Sequence, residues 1–388
     1  HVRKNLGIAL SDKQSEAVYM AFSSNLSIIT GSPGTGKTTV LKAIIEVYKA
    51  LYPKEKIKLA APTGRASRRM AESTSETDAS TLHSMLGLQN EDGYFKKDKE
   101  FEPIGAGLII VDESSMIDMW LARQFFMRIG NNTKIVLVGD PDQLQSVGAG
   151  DVFRQLINSG LIPVTVLDKI FRQKDGSRIA LNARAINNDQ TKLSYGEDFC
   201  FYKCQTQDQA ADIIKRAFCD LTEKYGIENV QILSPYRKKG AAAANELNLA
   251  IREIVNPYKG GLPDLRIGAY YFRVGDKVMQ NKNNSKASNG DIGFIRDIGT
   301  DKDNKAVITI EFSADRKAEY TLEDMKNIEL AYATTVHKAM GSEYDIVIMP
   351  IIKSHYNMLK PRLYGNYPSK APRYPCGTAR YALHGYSP

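Results

Sequence analysis

The sequence predicts an α/β fold, in which parallel sheets form two domains and a small β-barrel is inserted into the second. Three observations support this prediction. Short apolar runs alternate with helical patterns, and a glycine-rich motif follows the first of those runs. Between about residues 260 and 328 the sequence pattern changes to short β-type runs. With 388 residues, 43% of them hydrophobic, the chain can bury the cores of several domains.

Apolar runs in the first half of the chain predict the buried strands of a parallel sheet. They cover residues 26–30, 57–61, 108–112, 134–139 and 164–167, and helical patterns separate them. A polar run at about residues 89–102 interrupts the alternation and predicts a small exposed hairpin. We therefore assign residues 1–170 to a first domain that carries this insertion.

A second alternation begins near residue 171, with strand-like runs at 230–234 and 344–350 and a helix from about Ala241 to Ile254. Between them, short β-type runs are separated by Gly, Asn and Asp, which predicts a barrel; they lie at 272–274, 277–279, 292–295 and 306–310. The predicted boundaries are 171–258 and 329–360 for the second domain and 259–328 for the barrel.

Charge and cysteine content narrow the class of protein. Lys and Arg number 52 against 44 Asp and Glu, a net charge of +8 that favours a polyanionic partner. The four cysteines, Cys200, Cys204, Cys219 and Cys376, lack the paired spacing of a zinc site and predict reduced thiols in a cytoplasmic protein. No apolar run reaches the length of a membrane span and no signal peptide opens the chain, so we predict no membrane partner.

The glycine-rich motif fits the pattern G-x-x-x-x-G-K-[ST] and predicts a nucleoside triphosphate site. Its residues are Gly31, Ser32, Pro33, Gly34, Thr35, Gly36, Lys37, Thr38 and Thr39. Glycines allow backbone N–H groups to curl around phosphates at the positive end of the following helix. Lys37 is then the charge on the β- and γ-phosphates, and Thr38 offers a hydroxyl to Mg²⁺.

Polar residues suited to catalysis follow two further predicted strands. Asp112 and Glu113 follow the apolar run 108–111, at the sheet edge where open α/β sheets bind ligands. Asp112 is positioned to hold Mg²⁺ through water, and Glu113 to orient and deprotonate the attacking water. Gln143 follows the run 134–139, from where it can reach a γ-phosphate; an ordinary strand-ending turn is the alternative.

In order and spacing, these three segments resemble motifs I, II and III of superfamily 1 helicases, and further segments fit the same family. The resemblance is to the RecD-like branch, which moves 5′ to 3′ and carries a Src-homology-3-like barrel in its second half. It covers about residues 8–360. It implies two RecA-like P-loop NTPase domains, with ATP and Mg²⁺ as cofactors.

The resemblance also implies roles for individual residues. Gln14 would read the adenine base, Gly341 and Glu343 would belong to the nucleotide site, and Arg172 would point at the γ-phosphate from the second domain. Single-stranded DNA would be contacted by Pro62, Thr63, Arg65, Thr81, His83, Pro235, Tyr236, Arg237, Thr335, His337 and Lys338. Taken singly, Thr63 and Thr81 are equally well explained as ordinary helix N-caps.

The implied function is an ATP-dependent DNA helicase that translocates on single strands and acts at single-strand/duplex junctions in DNA repair or recombination. Two alternatives remain open. One is a nucleotide-dependent single-strand binder with impaired hydrolysis, and the other is an RNA-directed motor of the same superfamily. Because the chain opens on His1 rather than Met and its motifs begin almost at once, we expect a fragment of a longer protein.

The C-terminal stretch departs from the family. After Lys360 the resemblance implies a segment close to Y-T-A-I-T-R-A-K, whose arginine would stabilise the transferred phosphoryl group, but residues 361–388 hold five prolines and no Asp or Glu. Codons exist for residues 362–371 that, read one base later, spell V-Y-T-A-I-T-R-A-K. We infer an out-of-frame tail, with a divergent natural tail as the alternative. We expect it to be irregular and to lack the last strand and helix of the second domain.

Overall fold

The computed structural model describes residues 7–32, 34–76, 78–88, 103–143, 146, 148–169, 178–187, 190, 192–260, 265–267, 270–313, 316–342, 344–352, 355 and 379–385. The chain forms two compact units, His1–Lys174 and Asp175–Pro388. Each unit has its own sheets and its own hydrophobic core.

The first unit is built on a six-stranded parallel sheet. Its strands are β1 (Leu26–Gly31), β2 (Ile57–Ala61), β3 (Ala79–Thr81), β4 (Leu108–Val111), β5 (Lys134–Gly139) and β6 (Val164–Leu167). They pair in the order β3-β2-β4-β5-β1-β6. The five strands expected from apolar runs are confirmed, and the short polar β3 is an addition.

Helices cover both faces of this sheet. They are α1 (Asp12–Ser23), α2 (Lys37–Leu51), α3 (Gly64–Thr74), α4 (Leu82–Met85), α5 (Met119–Phe126) and α6 (Val152–Asn158). Val40, Leu41 and Ile44 of α2 pack in one buried cluster, and Phe125 and Phe153 pack in a second. Since parallel strands end at one edge, the loops after β1, β4 and β5 meet there. The predicted hairpin at 89–102 lies outside the described residues.

In the second unit, the described residues form two main sheets and three helices, α7 (Arg178–Asn187), α8 (Gln207–Tyr225) and α9 (Ala244–Val255). Its strands are β7 (Phe199–Cys204), β8 (Val230–Ser234), β9 (Leu265–Ile267), β10 (Tyr270–Phe272), β11 (Lys277–Gln280), β12 (Ile292–Thr300), β13 (Ala306–Ser313), β14 (Arg316–Tyr320), β15 (Ile328–Leu330), β16 (Ala333–Thr335), β17 (Ile346–Ile351) and β18 (Ala379–Gly385). One sheet has the order β16-β8-β17-β18-β7, and the other is antiparallel with the order β14-β13-β12-β11-β15.

The antiparallel sheet lies where the small β-barrel is predicted, between the two parts of the second α/β region. A single core joins both sheets of the unit, with Ile232 of β8 and Phe218 of α8 in the same buried cluster as Val278 and Ile308 of the antiparallel sheet. Because each of these side chains is at most 1% exposed, the small sheet is packed into this unit rather than tethered to it.

The parallel pairing expected of the second α/β sheet holds for β16, β8 and β17, whereas β18 and β7 run antiparallel to their neighbours. The expectation of an irregular tail is wrong for β18, which pairs along its length with β17 and β7. The five prolines of residues 361–388 all lie outside β18, where each would remove a backbone N–H donor from the ladder.

Among the described residues, no helix combines the length and the apolar character that crossing a bilayer requires.

Candidate functional site

The glycine-rich loop after β1 has a backbone that requires glycine. Gly34 and Gly36 have φ angles of 85° and 82°, in the left-handed region. A Cβ atom on Gly31 would lie 2.6 Å from Thr35 Oγ1 and 2.7 Å from the carbonyl oxygen of Leu167. Pro33 lies outside the described residues. The loop is thus held close to β6, with room only for backbone.

Helix α2 begins directly after this loop, at Lys37. Its N-cap is Gly36, which supplies no side-chain cap to the first-turn N–H groups. The Lys37 ammonium donates to the carbonyl oxygens of Gly31, at 2.6 Å, and Ser32, at 3.3 Å. Thr35 Oγ1 donates to the same Ser32 oxygen at 2.8 Å, which closes the loop around the lysine. Thr38 is exposed and Thr39 half-buried on the first turn.

Asp112 and Glu113 follow β4 in a tight turn. The Glu113 N–H donates to Asp112 Oδ1 at 2.8 Å, and the Ser114 hydroxyl donates to the Val111 carbonyl at 2.8 Å. Glu113 has φ 51° and ψ 37°, a left-handed conformation that costs a non-glycine residue roughly 1–2 kcal/mol. This strained turn holds the two carboxylates at the end of the sheet.

Burial controls the protonation of this pair. It raises the pKa of Glu113 to about 7, an effect that the neighbouring Asp112 charge increases and that Lys37 and Arg69 oppose. Burial also raises the pKa of Asp112, against the Glu113 N–H bond and the charges of Lys37 and Arg69. Arg69 of α3 is a member of this site that sequence reasoning missed, because only the fold brings α3 to the carboxylates.

Asp140 is the third carboxylate of the cluster and follows β5. Burial raises the pKa of Asp140, while hydrogen bonds from the Asp142 N–H and the Gln143 side chain, together with the Lys37 charge, lower it. The Gln143 N–H also donates to the Asp140 carbonyl at 3.2 Å. Lys37, Asp112, Glu113 and Gln143 are therefore brought together, as expected, with Asp140 added.

The carboxylate oxygens of this cluster suit a hard divalent cation that bound phosphates also coordinate. No group of three or more His, Cys, Asp or Glu arranged for a metal occurs among the described residues, so the protein alone provides no complete cage. Mg²⁺ is commonly held by one or two protein oxygens together with phosphates and water. Asp112 is a half-buried carboxylate whose pKa is raised by desolvation, so a bound cation would offset the cost of removing its charge from water.

Gln14 lies in the first turn of α1, where it is 4% exposed. Its Oε1 accepts from the Ser11 N–H at 3.0 Å, and its own N–H donates to Ser11 Oγ at 3.3 Å, a complete capping box. The structure gives Gln14 this helix-starting role, and base reading stays a prediction. Arg172 and Glu343 lie outside the described residues.

Thr63 and Thr81 are both helix N-caps. Thr63 Oγ1 accepts from the Ala66 N–H at 3.2 Å at the start of α3, and Thr81 Oγ1 accepts from the Ser84 N–H at 3.1 Å at the start of α4. The alternative that both threonines are helix N-caps is thus confirmed. Contact of either residue with DNA remains a prediction. Pro62 and Arg65 flank Thr63 and are half-buried.

His83 stacks on Trp120, a residue that sequence reasoning did not single out. Their ring centroids are 6.3 Å apart with planes inclined by 29°. Burial lowers the pKa of His83, which keeps its ring neutral at pH 7. Trp120 remains 43% exposed on α5. The first unit therefore presents an aromatic surface beside a predicted single-strand contact.

In the second unit, Pro235, Tyr236 and Arg237 follow β8. Pro235 is buried, and the Tyr236 ring meets the His355 ring edge to face at 5.1 Å. Arg237 is the exposed member, and its Nη2 donates to Glu329 Oε2 at 2.7 Å. Only Arg237 of the three presents a charge to solvent.

Thr335 ends β16, and the segment that follows holds His337, Lys338 and Gly341. Thr335 Oγ1 accepts from the Lys338 N–H at 3.3 Å, and Gly341 has a φ of 72°. The Lys338 ammonium donates to Asn281 Oδ1 at 2.6 Å and to the second Glu329 carboxylate oxygen. Half-buried His337 precedes it.

Arg237 and Lys338 line one open pocket of about 620 Å³. The lining includes four basic side chains, Arg237, Lys282, Lys326 and Lys338, and a carboxylate, Glu323. Lys282 and Lys326 belong to the small antiparallel domain, whose part in a site the motifs did not reveal. The pocket joins two predicted contacts that lie about a hundred residues apart in sequence.

Family profiles match three parts of the chain. Residues 9–206 match an AAA domain, residues 247–312 match the Src-homology-3 domain of ATP-dependent RecD-like DNA helicases, and residues 330–364 match the UvrD-like helicase C-terminal domain. The three matches follow one another in the order expected from the motifs.

Curated relatives extend over most of the chain. The ATP-dependent RecD2 DNA helicase of Deinococcus radiodurans is 32% identical over 364 residues, which cover 93% of this chain and 48% of the relative. The RecBCD enzyme subunit RecD of Mycolicibacterium smegmatis is 27% identical over 390 residues, covering 91% of this chain and 68% of the relative. The chain therefore spans about half the length of the Deinococcus protein.

Solved structures share the fold. The Pif1 helicase from Candida albicans has a TM-score of 0.54 at 21% identity and covers 88% of both chains. A Bacteroides Pif1 bound to single-stranded DNA has a TM-score of 0.51 at 18% identity, covering 88% of this chain and 86% of its own.

Proposed function

This chain belongs to the RecD-like helicase family, and on that premise we propose that it is an ATP-dependent DNA helicase. It translocates on single-stranded DNA from 5′ to 3′ and separates strands at junctions in DNA repair or recombination. The direction and the pathway rest on the resemblance to the RecD-like branch. The observation that carries the proposal is the convergence of Lys37 with three raised-pKa carboxylates at one sheet edge.

In the nucleotide site, the phosphates lie against the N–H groups at the start of α2. Lys37 exchanges its loop carbonyl partners for phosphate oxygens. Thr38 and Asp112 would hold Mg²⁺, and the ion would supply positive charge close to the transferred phosphoryl group. Glu113 accepts a proton from the attacking water, and its pKa of about 7 is suited to a general base near neutral pH.

Both units contribute to holding the strand. In the first unit, Thr63 and Thr81 offer hydroxyls, and the ring of His83 with Trp120 offers a stacking surface. In the second unit, Arg237 and Lys338 offer charge to backbone phosphates. Phosphate contacts and stacking carry little sequence information, so binding is nearly independent of sequence.

A second candidate function is supported by the composition of residues 361–388. Without the Y-T-A-I-T-R-A-K segment, the chain lacks the motif arginine expected at the transferred phosphoryl group. It would then act as a nucleotide-dependent single-strand binder with slow hydrolysis. DNA is favoured over RNA because the Deinococcus relative is named a DNA helicase.

The test compares ATP turnover and binding with and without DNA. We expect oligo-dT to bind more tightly than a blunt duplex and to stimulate turnover. Its affinity should fall by roughly 0.7 log unit per neutralised phosphate for each tenfold rise in salt. Binding restricted to duplexes, or insensitive to salt, would contradict the proposed single-strand site. Tight binding without stimulated turnover would favour the second candidate.

A further inference from the structure

The two cations expected to hold the strand in the second unit share one carboxylate. Glu329 Oε2 accepts from Arg237 Nη2 at 2.7 Å, and Glu329 Oε1 accepts from the Lys338 ammonium. Asn281 Oδ1 accepts from the same ammonium at 2.6 Å. Two of the four basic groups at the pocket are therefore paired with a single acid within the protein.

Glu329 is fixed more firmly than its partners. It lies in β15, where its backbone pairs with Met279 of β11, and its side chain is 19% exposed. The side chains of Arg237 and Lys338 are 50% and 27% exposed. The acid is thus anchored in the sheet, while both cations are open to the pocket and can turn toward another anion.

We infer that Glu329 is an internal substitute for a backbone phosphate of single-stranded DNA, which the incoming strand displaces from Arg237 and Lys338. This rests on the proposed function. A carboxylate and a phosphodiester each present two anionic oxygens, and guanidinium and ammonium groups bind both. Strand binding at this pocket is therefore an exchange of one anion for another.

This exchange has a consequence for affinity. A phosphate that takes the two cations leaves the half-buried Glu329 charge without its partners and close to a second anion, which opposes binding. Glu329 therefore weakens the hold on each phosphate and speeds its release. Such a device suits a site that must let successive phosphates pass.

The experiment compares Glu329→Gln with Glu323→Gln in binding of labelled oligo-dT by the full chain. Glu323 lines the same pocket. The Glu323→Gln variant therefore removes one negative charge from the same surface without touching Arg237 or Lys338. The Glu323 side chain is 79% exposed and pairs with Lys326. We expect Glu329→Gln to bind about three- to tenfold more tightly at 50 mM salt, chiefly through slower dissociation. The Glu323→Gln affinity should change by less than about twofold.

The salt dependence provides a second measurement. With Arg237 and Lys338 released, the affinity of Glu329→Gln should fall more steeply with salt, by roughly 0.7 log unit per tenfold change for each added phosphate contact. Weaker binding by Glu329→Gln would show that the acid orients the cations for the strand and would overturn the inference. Equal affinities for the two variants would overturn it as well.

Separate controls test the folding of the variants and the proposed function. Thermal unfolding of both variants identifies a fold defect, and Glu329→Asp, which keeps the charge but shortens its reach, should fall between wild type and Glu329→Gln. If the wild-type chain binds no single strand, the proposed function fails. If it binds and the two glutamine variants match, only the substitution of Glu329 for phosphate fails.

Discussion

The two units contain opposite electrostatic arrangements. At the sheet edge of the first unit, Asp112, Glu113 and Asp140 share the positive charge of Lys37, and burial raises the pKa of all three carboxylates. At the pocket of the second unit, four basic groups outnumber the acids, and Glu329 already pairs with two of them. One region is short of positive charge, and the other has its excess partly neutralised within the protein.

The two regions respond to different changes in solution conditions. Carboxylates whose pKa is raised by burial respond to pH and to a divalent cation, because protonation or a bound cation removes the cost of burying their charge. Exposed cations paired with an acid respond to ionic strength, because salt screens the pair and competes with phosphates. The first unit is therefore expected to set the chemistry, and the second to set the salt dependence of strand binding.

The largest effect should come from giving the second unit a catalytic charge. A chain whose residues from 362 onward are restored to V-Y-T-A-I-T-R-A-K regains the motif arginine. Since an arginine finger contributes on the order of 10³–10⁵ in rate, DNA-stimulated hydrolysis should rise toward that range while ATP affinity changes little. Steady-state ATPase assays of the two chains measure it. Equal rates would remove the out-of-frame interpretation of the tail.

The next test separates the charges of the first unit. In the restored chain, Lys37→Ala should abolish hydrolysis because the β- and γ-phosphates lose their cation. Glu113→Gln should retain ATP binding and lose turnover by about 10²–10⁴, the usual contribution of a general base. Nucleotide binding by fluorescence and turnover by phosphate release distinguish the variants. Near-normal turnover in Glu113→Gln would exclude Glu113 as the base.

A smaller effect should appear in stability as a function of pH. The folded pKa of Glu113, about 7, is above its ordinary value of 4.5, so its contribution to stability is fully present below pH 4.5 and lost as the pH rises through 7. At pH 8, Glu113→Gln should be more stable than wild type by about 1–3 kcal/mol. The two should converge near pH 4. Denaturant unfolding at both values measures this, and a difference independent of pH would contradict titration of Glu113.

The smallest effect concerns stacking in the first unit. Trp120 is the only tryptophan of the chain, so oligo-dT that stacks beside His83 should quench the intrinsic fluorescence. Trp120→Ala should weaken binding about fivefold, near the lower limit of base–aromatic stacking, with an unchanged salt slope. Tyr19→Ala, which removes another exposed aromatic side chain, is the control. Unchanged fluorescence on saturation would exclude this contact.

Local patterns predicted the parts of the fold that local chemistry determines. Apolar runs located β1, β2, β4, β5 and β6. The strands β1, β4 and β5 are buried on both faces, whereas the edge strand β6 leaves Val166 exposed. The order of the motifs predicted that Lys37 and the strand-end carboxylates would meet. The contacts of residues that belong to no motif could not be predicted in this way. Arg69, Trp120 and Glu329 carry no motif, and only tertiary packing brings them to their partners.

The tail shows the opposite limit of sequence reasoning. Its composition predicted irregular structure, yet β18 completes the sheet between β17 and β7. The backbone N–H and C=O groups of these two strands are partners that almost any proline-free segment can use. Composition is a poor guide to secondary structure where neighbouring strands, rather than the segment's own side chains, favour strand formation.

Gly36 has one further consequence, for the thermodynamics of the first unit. A Gly N-cap stabilises a helix less than a Ser or Asp N-cap by roughly a few tenths of a kcal/mol, and α2 begins with Gly36 and no side-chain cap. Phosphates bound at its first-turn N–H groups would serve as its cap. Binding to the folded chain raises stability with ligand concentration. The melting temperature of this unit should therefore follow the cellular level of nucleotide, so that energy supply and structural integrity vary together.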